Sequence, residues 1–492
     1  MRRLAPPANP AGRLGVTVRH RRQPDEHRED EARSAGAKGM AADLAALREK
    51  GWFPAAATAM ADAAGAVDAS GGGAGDSERT SPLPPGFTAH EVSLPWTTLT
   101  MLLPPTGIGD PVWWHSLADA TDSWGDVAAL ASVRVVRLAE GRLGPVAHLD
   151  CGRYGLWMAE IVPFDADGHG RRLSDFSDDR CHGAKGGVQW RGRDVLLLRR
   201  DLSELPTAAE ALRSVLVAGE STLALALVRN AGGLLGRFHM RAAKVVRIPR
   251  DAGRWNDRLK RIEEVTHAKT LWRAPHAAET ESTITHRSFS LECVLLLRDA
   301  AGEPDSSRGR LLLPAPGLAD SLLPLDARMP ALRDVAAGYR SIEVARRAAE
   351  AEPDCAPLPP QGELRREFLD AWAAKAPRAW SSDAALDSHR GGLPVWEYEQ
   401  TLVELLLARA TGEEPTESTL WFLDHVDRIQ ARMFRSRTFA AAALTALCCS
   451  GFGVYAWLTG MLLVMQALPL MMVGLLHPPL RRLYRRAAPP PA

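Results

Sequence analysis

The stretch "TITHRSFSLECVLLLRD", residues 283–299, decides the fold because two strand-like runs flank a polar loop. The β-branched run at 283–285 favours a short strand, and the apolar run at 294–297 is typical of a buried one. His286 and Arg287 open the loop between the two runs. The layout predicts a strand–loop–strand unit in which the loop carries the polar side chains.

On either side of this unit, the sequence changes from strand-like to helical. Short β-rich runs separated by Gly and Asp turns lie between about residues 86 and 200. Residues 206–239 begin with Pro after a strand end and carry a continuous apolar face, which predicts helices. Further helices are predicted at residues 331–352, 362–376, 395–410 and 417–435. The order predicts an α+β fold, with a β-rich part over 86–204 and a helical part over 205–437.

Four segments in the helical part resemble the kinase-like phosphotransferases, which are the protein kinases and their aminoglycoside and choline phosphotransferase relatives. They are "LLGRFH" (Leu234–His239), "HRSFSLECVLL" (His286–Leu296), "GRLLLPAPGLAD" (Gly309–Asp320) and "LRDVAAGYRSIEVA" (Leu332–Ala345). The second resembles the catalytic loop H-R-D-x-x-x-x-N of that family. The resemblance implies a bilobal kinase-like domain, with a β-rich N-lobe and a helical C-lobe.

The same resemblance identifies where this sequence departs from the family. Ser288 stands where the family has the Asp that accepts the proton of the attacking hydroxyl, and Cys293 stands where it has a metal-binding Asn. Leu313 or Pro314 occupies the position of the second metal ligand. A hydroxyl cannot act as a base near neutral pH, and a thiol is a soft ligand for Mg²⁺. We therefore predict no catalytic residue, no metal site and no cofactor, with the nucleotide site unknown.

Other polar residues near the loop have a structural and a functional interpretation. His286, Arg287 and Asp334 are predicted to be structural remnants that brace the loop and a helix start. Glu292 and Asp299 are more typical of solvated or capping residues than of displaced acids. If phosphoryl transfer does occur, Glu292 and Asp320 are the acids that would carry it. No Gly-x-Gly-x-x-Gly loop precedes this region, and Lys185, in a Gly-rich turn, is the one lysine between residues 86 and 243.

Composition excludes several classes of function. The 492 residues carry 60 basic and 59 acidic side chains, so nothing favours nucleic acid as a partner. The six cysteines are scattered without zinc or disulfide spacing, which fits a reduced cytoplasmic setting. Residues 1–85 are charged or rich in Gly, Ser and Pro, and they predict a disordered region with no signal peptide.

The C-terminal region predicts a membrane anchor. Residues 438–476 contain no charged side chain, a run too long for one comfortable span and right for two short ones. Arginines flank both ends: Arg432, Arg435 and Arg437 before the run, and Arg481, Arg482, Arg485 and Arg486 after it. The positive-inside rule then predicts a hairpin over 438–477 with both ends cytoplasmic, followed by a basic, Pro-rich tail over 478–492. The predicted reversal lies between Gly453 and Gly460, with Tyr455 and Trp457 at the far interface; a shallow re-entrant hairpin is the alternative.

Three functional hypotheses follow. The first is a membrane-tethered pseudokinase that binds a protein or small-molecule partner at the cytoplasmic membrane face without transferring phosphate. The second is an unorthodox phosphotransferase acting on a small-molecule or lipid-linked substrate. The third is a membrane-anchored protein of unrelated fold. The sequence favours them in that order.

Overall fold

The computed structural model describes most of the chain from residue 82 to residue 487. The described ranges are 45–46, 49, 66–68, 82–120, 122–141, 144–164, 167–247, 252–271, 281–287, 289–314, 317–323, 328–382, 386 and 392–487. Most of the region predicted to be disordered lies outside these ranges, and so does Ser288. Within that region, Ala66–Asp68 forms a strand.

The strands belong to one six-stranded sheet and three smaller ones. They are β1 Ala66–Asp68, β2 Thr88–Leu94, β3 Thr97–Leu103, β4 Ser123–Gly125, β5 Arg134–Glu140, β6 Pro145–Asp150, β7 Leu156–Ile161, β8 Cys181–His182, β9 Gly186–Trp190, β10 Arg193–Arg200, β11 Ser282–Ile284, β12 Val294–Arg298, β13 Pro304–Leu312 and β14 Arg328–Pro330. The large sheet has the order β4-β9-β10-β7-β6-β5 with antiparallel neighbours.

The helices follow mainly after residue 205. They are α1 Pro111–Ala118, α2 His169–Ser174, α3 Ala208–Val217, α4 Ser221–Val245, α5 Ala252–Thr266, α6 Leu318–Leu322, α7 Leu332–Glu350, α8 Gln361–Ala373, α9 Arg378–Ser381, α10 Leu393–Thr411, α11 Glu417–Asp424, α12 Val426–Leu458, α13 Val464–Val473 and α14 His477–Ala487. The predicted α+β order, with a β-rich N-terminal part and a helical C-terminal part, is confirmed. The bilobal arrangement stays a prediction.

The centre of the six-stranded sheet is buried on both faces, which explains the continuous apolar run in β10. Leu196 and Leu198 pack with the buried Trp114 of α1 on one face. Leu197 lies on the opposite face and packs with Val162. A strand buried on both sides needs apolar residues at consecutive positions rather than at alternate ones. The sheet is therefore part of the core of the β-rich part.

Helix α4 forms the centre of the helical part and packs tightly against α8. A side chain at Gly232 would place its Cβ 2.2 Å from the carbonyl oxygen of Phe368, and one at Gly236 would place it 2.5 Å from that of Trp372. The two glycines therefore let the backbones approach closely. Helix α3, which precedes α4, starts with a capping box in which Thr207 and Glu210 satisfy each other's backbone amides.

Short strands join the β-rich and helical parts around the loop at 285–293. Strand β11 pairs with β14, and β12 pairs with β13, so the loop is held between two small sheets. Strand β13 also pairs in parallel with β8, which comes from the β-rich part. His286 and Cys293 therefore both lie in the segment that joins β11 to β12, and its predicted place in a cleft between two lobes stays a prediction.

The C-terminal helices fold back on one another. Among the described residues, α12 is the one helix long and apolar enough to cross a membrane, judged by length and composition. Helix α12 continues through Gly453, and the chain turns only at Thr459–Leu463, where Gly460 has a φ of 71°. The reversal thus begins at the very end of the predicted interval, because Gly453 is used for close packing against α13. Insertion into a membrane stays a prediction.

Candidate functional site

The loop at 285–293 is anchored by one buried carboxylate, that of Asp334 near the start of α7. Its oxygens accept hydrogen bonds from the backbone amides of His286 at 2.6 Å and Arg287 at 3.1 Å. His239 Nε2 lies 3.0 Å from the same carboxylate, and Trp372 Nε1 donates to His239 Nδ1 at 2.9 Å. Burial alone would raise the pKa of Asp334, but the His239 bond and the neighbouring imidazoles lower it below its ordinary value. Asp334 is therefore a charged acceptor that fixes the loop backbone.

Arg287 and its neighbours link the loop to the rest of the protein. Its backbone has a φ of 66°, which a non-glycine residue adopts only where surrounding contacts hold it. The Arg287 guanidinium makes a bidentate ion pair with Asp167, which precedes α2. The carbonyl of Arg287 accepts a bond from Arg333, whose guanidinium also pairs with Glu399 on α10. These contacts tie the loop to α2, α7 and α10, and the structural role of Arg287 stays a prediction.

His169, at the start of α2, lies fully buried close to this loop. Burial, with the nearby positive charges of Arg287 and Arg172, lowers its pKa well below the ordinary value of 6.5. The imidazole is therefore neutral around pH 7.

The positions that carry phosphoryl transfer in the resembling family hold no carboxylate among the described residues. Cys293 is buried, with its Sγ 3.6 Å from Ser290 Oγ. Leu313 is buried and donates its backbone amide to the carbonyl of His182, and the next residue, Pro314, is also buried. No cluster of potential metal ligands occurs in the part of the chain that the structure describes. The residues present at these positions do not fit a Mg²⁺ ion, and Ser288 lies outside the described residues.

The large sheet also lacks the lysine that pairs with nucleotide phosphates in the resembling family. Its buried charged residues include Glu160 on β7 and Arg199 on β10, which form an ion pair. Lys185 is exposed in its turn. Asp299 closes the turn after β12 by accepting the amides of Ala301 and Glu303, which matches its predicted capping role.

A cavity of about 600 Å³ opens beside the loop. Its polar lining includes Arg287, Ser290 and Glu292 from the loop region, Asp320 from α6, Arg333 and Arg340 from α7, and Glu404 from α10. Phe164, Phe289 and Val403 contribute apolar surface. A volume of this size accommodates a small molecule.

Among the described residues, Asp320 is the one acidic side chain of this lining that has a buried oxygen without a hydrogen-bond partner. The residue is 8 % exposed, and its Oδ1 lies 3.6 Å from Arg333. Its Oδ2 has no hydrogen-bond partner within the part of the chain that the structure describes. Buried carboxylate oxygens almost always have a partner, so an unpaired one that lines a cavity indicates a place for a donor from a ligand.

Comparisons with known proteins place the chain at a distance from characterised families. No protein-family model matches the sequence, and no curated protein matches it. Two solved structures of glucosamine kinase are similar. Crystal form B is 18% identical, covering 70% of this chain and 91% of that chain with a TM-score of 0.46. The complex with glucosamine, ADP and inorganic phosphate is 16% identical, covering 72% of this chain and 95% of that chain with a TM-score of 0.47. At this distance the similarity fixes no reaction for the present chain.

The sequence identified some of these residues and missed others. It selected His286, Arg287 and Asp334 as bracing residues and named Asp320 and Glu292 as the acids to test. It assigned no role to His239, Asp167, Arg333 or Glu404. Their partners are far away in sequence, as in the pair His239–Asp334, 95 residues apart, so no local motif marks them.

Proposed function

We propose that this chain is a phosphotransferase-like protein of the kinase-like fold that binds a small polar molecule in the cavity beside the loop. Support for the fold comes from the β-then-α order and from the loop anchored by the Asp334 carboxylate. The observation that carries the binding site is the buried, unpaired Oδ2 of Asp320 in the cavity lining.

The charges around the cavity indicate the chemical class of the ligand. All four lining arginines are engaged by acids: Arg213 by Glu352, Arg287 by Asp167, Arg333 by Glu399 and Arg340 by Glu404. Glu292 is exposed in the lining, and Asp320 has the spare acceptor. Since the cations are neutralised and acceptors remain, the ligand carries a hydroxyl or ammonium donor rather than a phosphate or carboxylate.

The second candidate function is phosphoryl transfer to that ligand. The location of Asp320 and Glu292 beside the loop favours it, because a carboxylate near a bound hydroxyl can accept its proton. Cys293, Leu313 and Pro314 oppose it, since none of them holds Mg²⁺ on a nucleotide. No step through a metal ion is assigned to this site.

Thermal-shift measurements on the detergent-solubilised full chain test the binding function, using hexoses, hexosamines and amino alcohols as probes. We expect a probe with donors to stabilise the wild type and Asp320→Asn to weaken its binding about tenfold or more, since hydrogen bonds to charged groups are worth about 1.5–3 kcal/mol. Glu413→Gln is the matched control, because Glu413 lines the cavity mouth but is exposed. Equal binding by wild type and Asp320→Asn would contradict the proposal.

Incubation with Mg·ATP and a bound probe tests the second function. Phosphorylated product that disappears in Asp320→Asn would establish phosphoryl transfer. Binding without product would leave the protein as a binding module.

A further inference from the structure

The C-terminal helices present a large apolar surface that nothing else in the described chain covers. Exposed side chains on α12 include Leu444, Leu447 and Phe452, and those on the return arm include Leu468 and Met472. The turn adds Met461 and Leu463, and Met465 in the first turn of α13 is 81% exposed. Soluble monomers rarely expose a continuous apolar patch larger than a few hundred Å².

The two arms pack against each other through small residues, so their large side chains point outward. Ala443, Ala446 and Ala456 of α12 are buried, as is Ala467 of α13. A Cβ at Gly453 would lie 2.9 Å from Leu470 Cβ, and Ser450 Oγ donates to the carbonyl of Met471 at 3.2 Å. Close helix packing through small residues is typical of helices surrounded by lipid. This packing leaves the large apolar side chains of both arms exposed.

The basic residues collect at the open end of this hairpin. Helix α14 packs along α12, and His477 Nδ1 lies 3.0 Å from the carbonyl of Ala443. Because the arms run antiparallel, the next turn of α14 brings Arg481 and Arg482 toward the level of Arg437. We call Arg432, Arg435, Arg437, Arg481 and Arg482 the arginine collar. Residues 428–492 contain eight arginines and no acidic residue, so this segment carries a strong positive charge.

The distance from collar to turn matches the thickness of a bilayer core. Arg437 and Leu458 are 21 residues apart in one helix, which is about 31 Å at 1.5 Å per residue. The hydrocarbon core of a bilayer is about 30 Å thick. The uncharged turn, with Met461 and Leu463 exposed, suits the far side of that core better than open water.

We propose that the hairpin inserts into a bilayer from one side and that the arginine collar binds the anionic lipid headgroups of the leaflet it enters. Charge complementarity favours an anionic surface, since basic side chains next to an apolar segment are attracted to anionic lipids. The helical body of the protein then lies on the same side as the collar, because residues before α12 and after α14 both remain there.

Reconstitution of the purified full chain into vesicles tests the proposal. The comparison uses pure phosphatidylcholine and a 7:3 mixture of phosphatidylcholine and phosphatidylglycerol, with co-flotation as the readout. We expect stronger association with the anionic vesicles, reduced by 0.5 M salt. Arg481→Gln with Arg482→Gln should lower partition into the anionic vesicles by roughly thirtyfold, at about fivefold for each lost arginine.

A matched control replaces two exposed arginines elsewhere, Arg137→Gln with Arg366→Gln, and should leave flotation unchanged. If the α14 variant misfolds by circular dichroism, Arg432→Gln with Arg435→Gln tests the collar from the other arm. Equal flotation with both lipid mixtures, unaffected by either collar variant, would overturn the lipid assignment. A discrete lipid-free dimer that does not float would show that a second copy covers the apolar surface.

Insertion has its own readout with a membrane-impermeant maleimide. The background is Cys355→Ala, Cys448→Ala and Cys449→Ala, because Cys151, Cys181 and Cys293 are buried. Arg432→Cys should label readily in reconstituted vesicles from the collar side. Leu463→Cys should be protected until detergent is added, and rapid labelling of Leu463→Cys in intact vesicles would contradict insertion.

Discussion

Replacing Asp334 by Ala should destabilise the protein more than any other single change near the loop. The carboxylate accepts three bonds, from His286 N, Arg287 N and His239 Nε2, and all three donors are buried. A buried donor left without an acceptor costs about 1–3 kcal/mol. Three such donors give a loss of roughly 3–9 kcal/mol, which is comparable to the whole stability of many domains, about 5–15 kcal/mol.

Asp334→Asn should lie between the wild type and Asp334→Ala. The amide keeps the shape and one accepting oxygen, but its NH₂ group faces one of the donors. We expect a loss of roughly 1–3 kcal/mol, the cost of one unsatisfied donor. Urea unfolding of the detergent-solubilised chain, followed by tryptophan fluorescence, measures all variants on one scale.

Asp299→Ala is the matched control for this series. Asp299 also accepts two backbone amides in a turn, but it is exposed, so water replaces the lost bonds. Its expected loss is below about 1 kcal/mol. If Asp334→Ala costs no more than Asp299→Ala, the carboxylate does not anchor the loop, and the proposed kinase-like fold loses one of its two supports.

Three further predictions concern burial. His169 is neutral in the folded protein and takes up a proton in the unfolded chain below about pH 6.5, so the free energy of unfolding should fall by about 1.4 kcal/mol per pH unit below that value. His169→Gln should remove this part of the fall between pH 7.5 and 5.5. An unchanged pH profile in the variant would refute the prediction. Asp194 contributes a pH dependence of the opposite sign, because burial raises its pKa to about 6. The contribution of His169 is therefore read from the difference between the pH profiles of the wild type and His169→Gln. Gly232→Ala should lower the free energy of unfolding by about 1–3 kcal/mol, because its Cβ meets the Phe368 carbonyl. Gly233→Ala has open space around its Cβ and should stabilise α4 by up to about 1 kcal/mol. Similar melting temperatures for the two variants would contradict this packing. Glu160→Gln should lower the free energy of unfolding in urea by about 3–5 kcal/mol, because it leaves Arg199 as an unpaired buried charge. Joint replacement by Glu160→Leu with Arg199→Met should recover most of this loss. A double variant as unstable as the single one would show that the unpaired charge is not the cause of the loss.

Several features follow from the sequence alone because they depend on local chemistry. Strand and helix periodicity predicts the change from β-rich to helical structure near residue 205, and residues 283–299 predict the strand–loop–strand unit. Cys293 and Pro314 provide no oxygen side chain that could bind Mg²⁺ at those positions, whatever the fold. The uncharged run at 438–476 and its flanking arginines likewise predict an apolar C-terminal segment before any coordinates are considered.

Other features were decided only by tertiary structure, because they join residues that no local pattern connects. Asp334 reaches the His286 amide across 48 residues, and Arg333 reaches Glu399 across 66. That Asp320 Oδ2 lacks a hydrogen-bond partner among the described residues follows only from the structure, which shows the acid that each neighbouring arginine binds. The turn of the hairpin lies at 459–463 because Gly453, which by itself could mark a turn or a contact, is occupied in packing against α13. Propensity and charge act over a few residues, whereas pairing in the core depends on which distant segments the chain brings together.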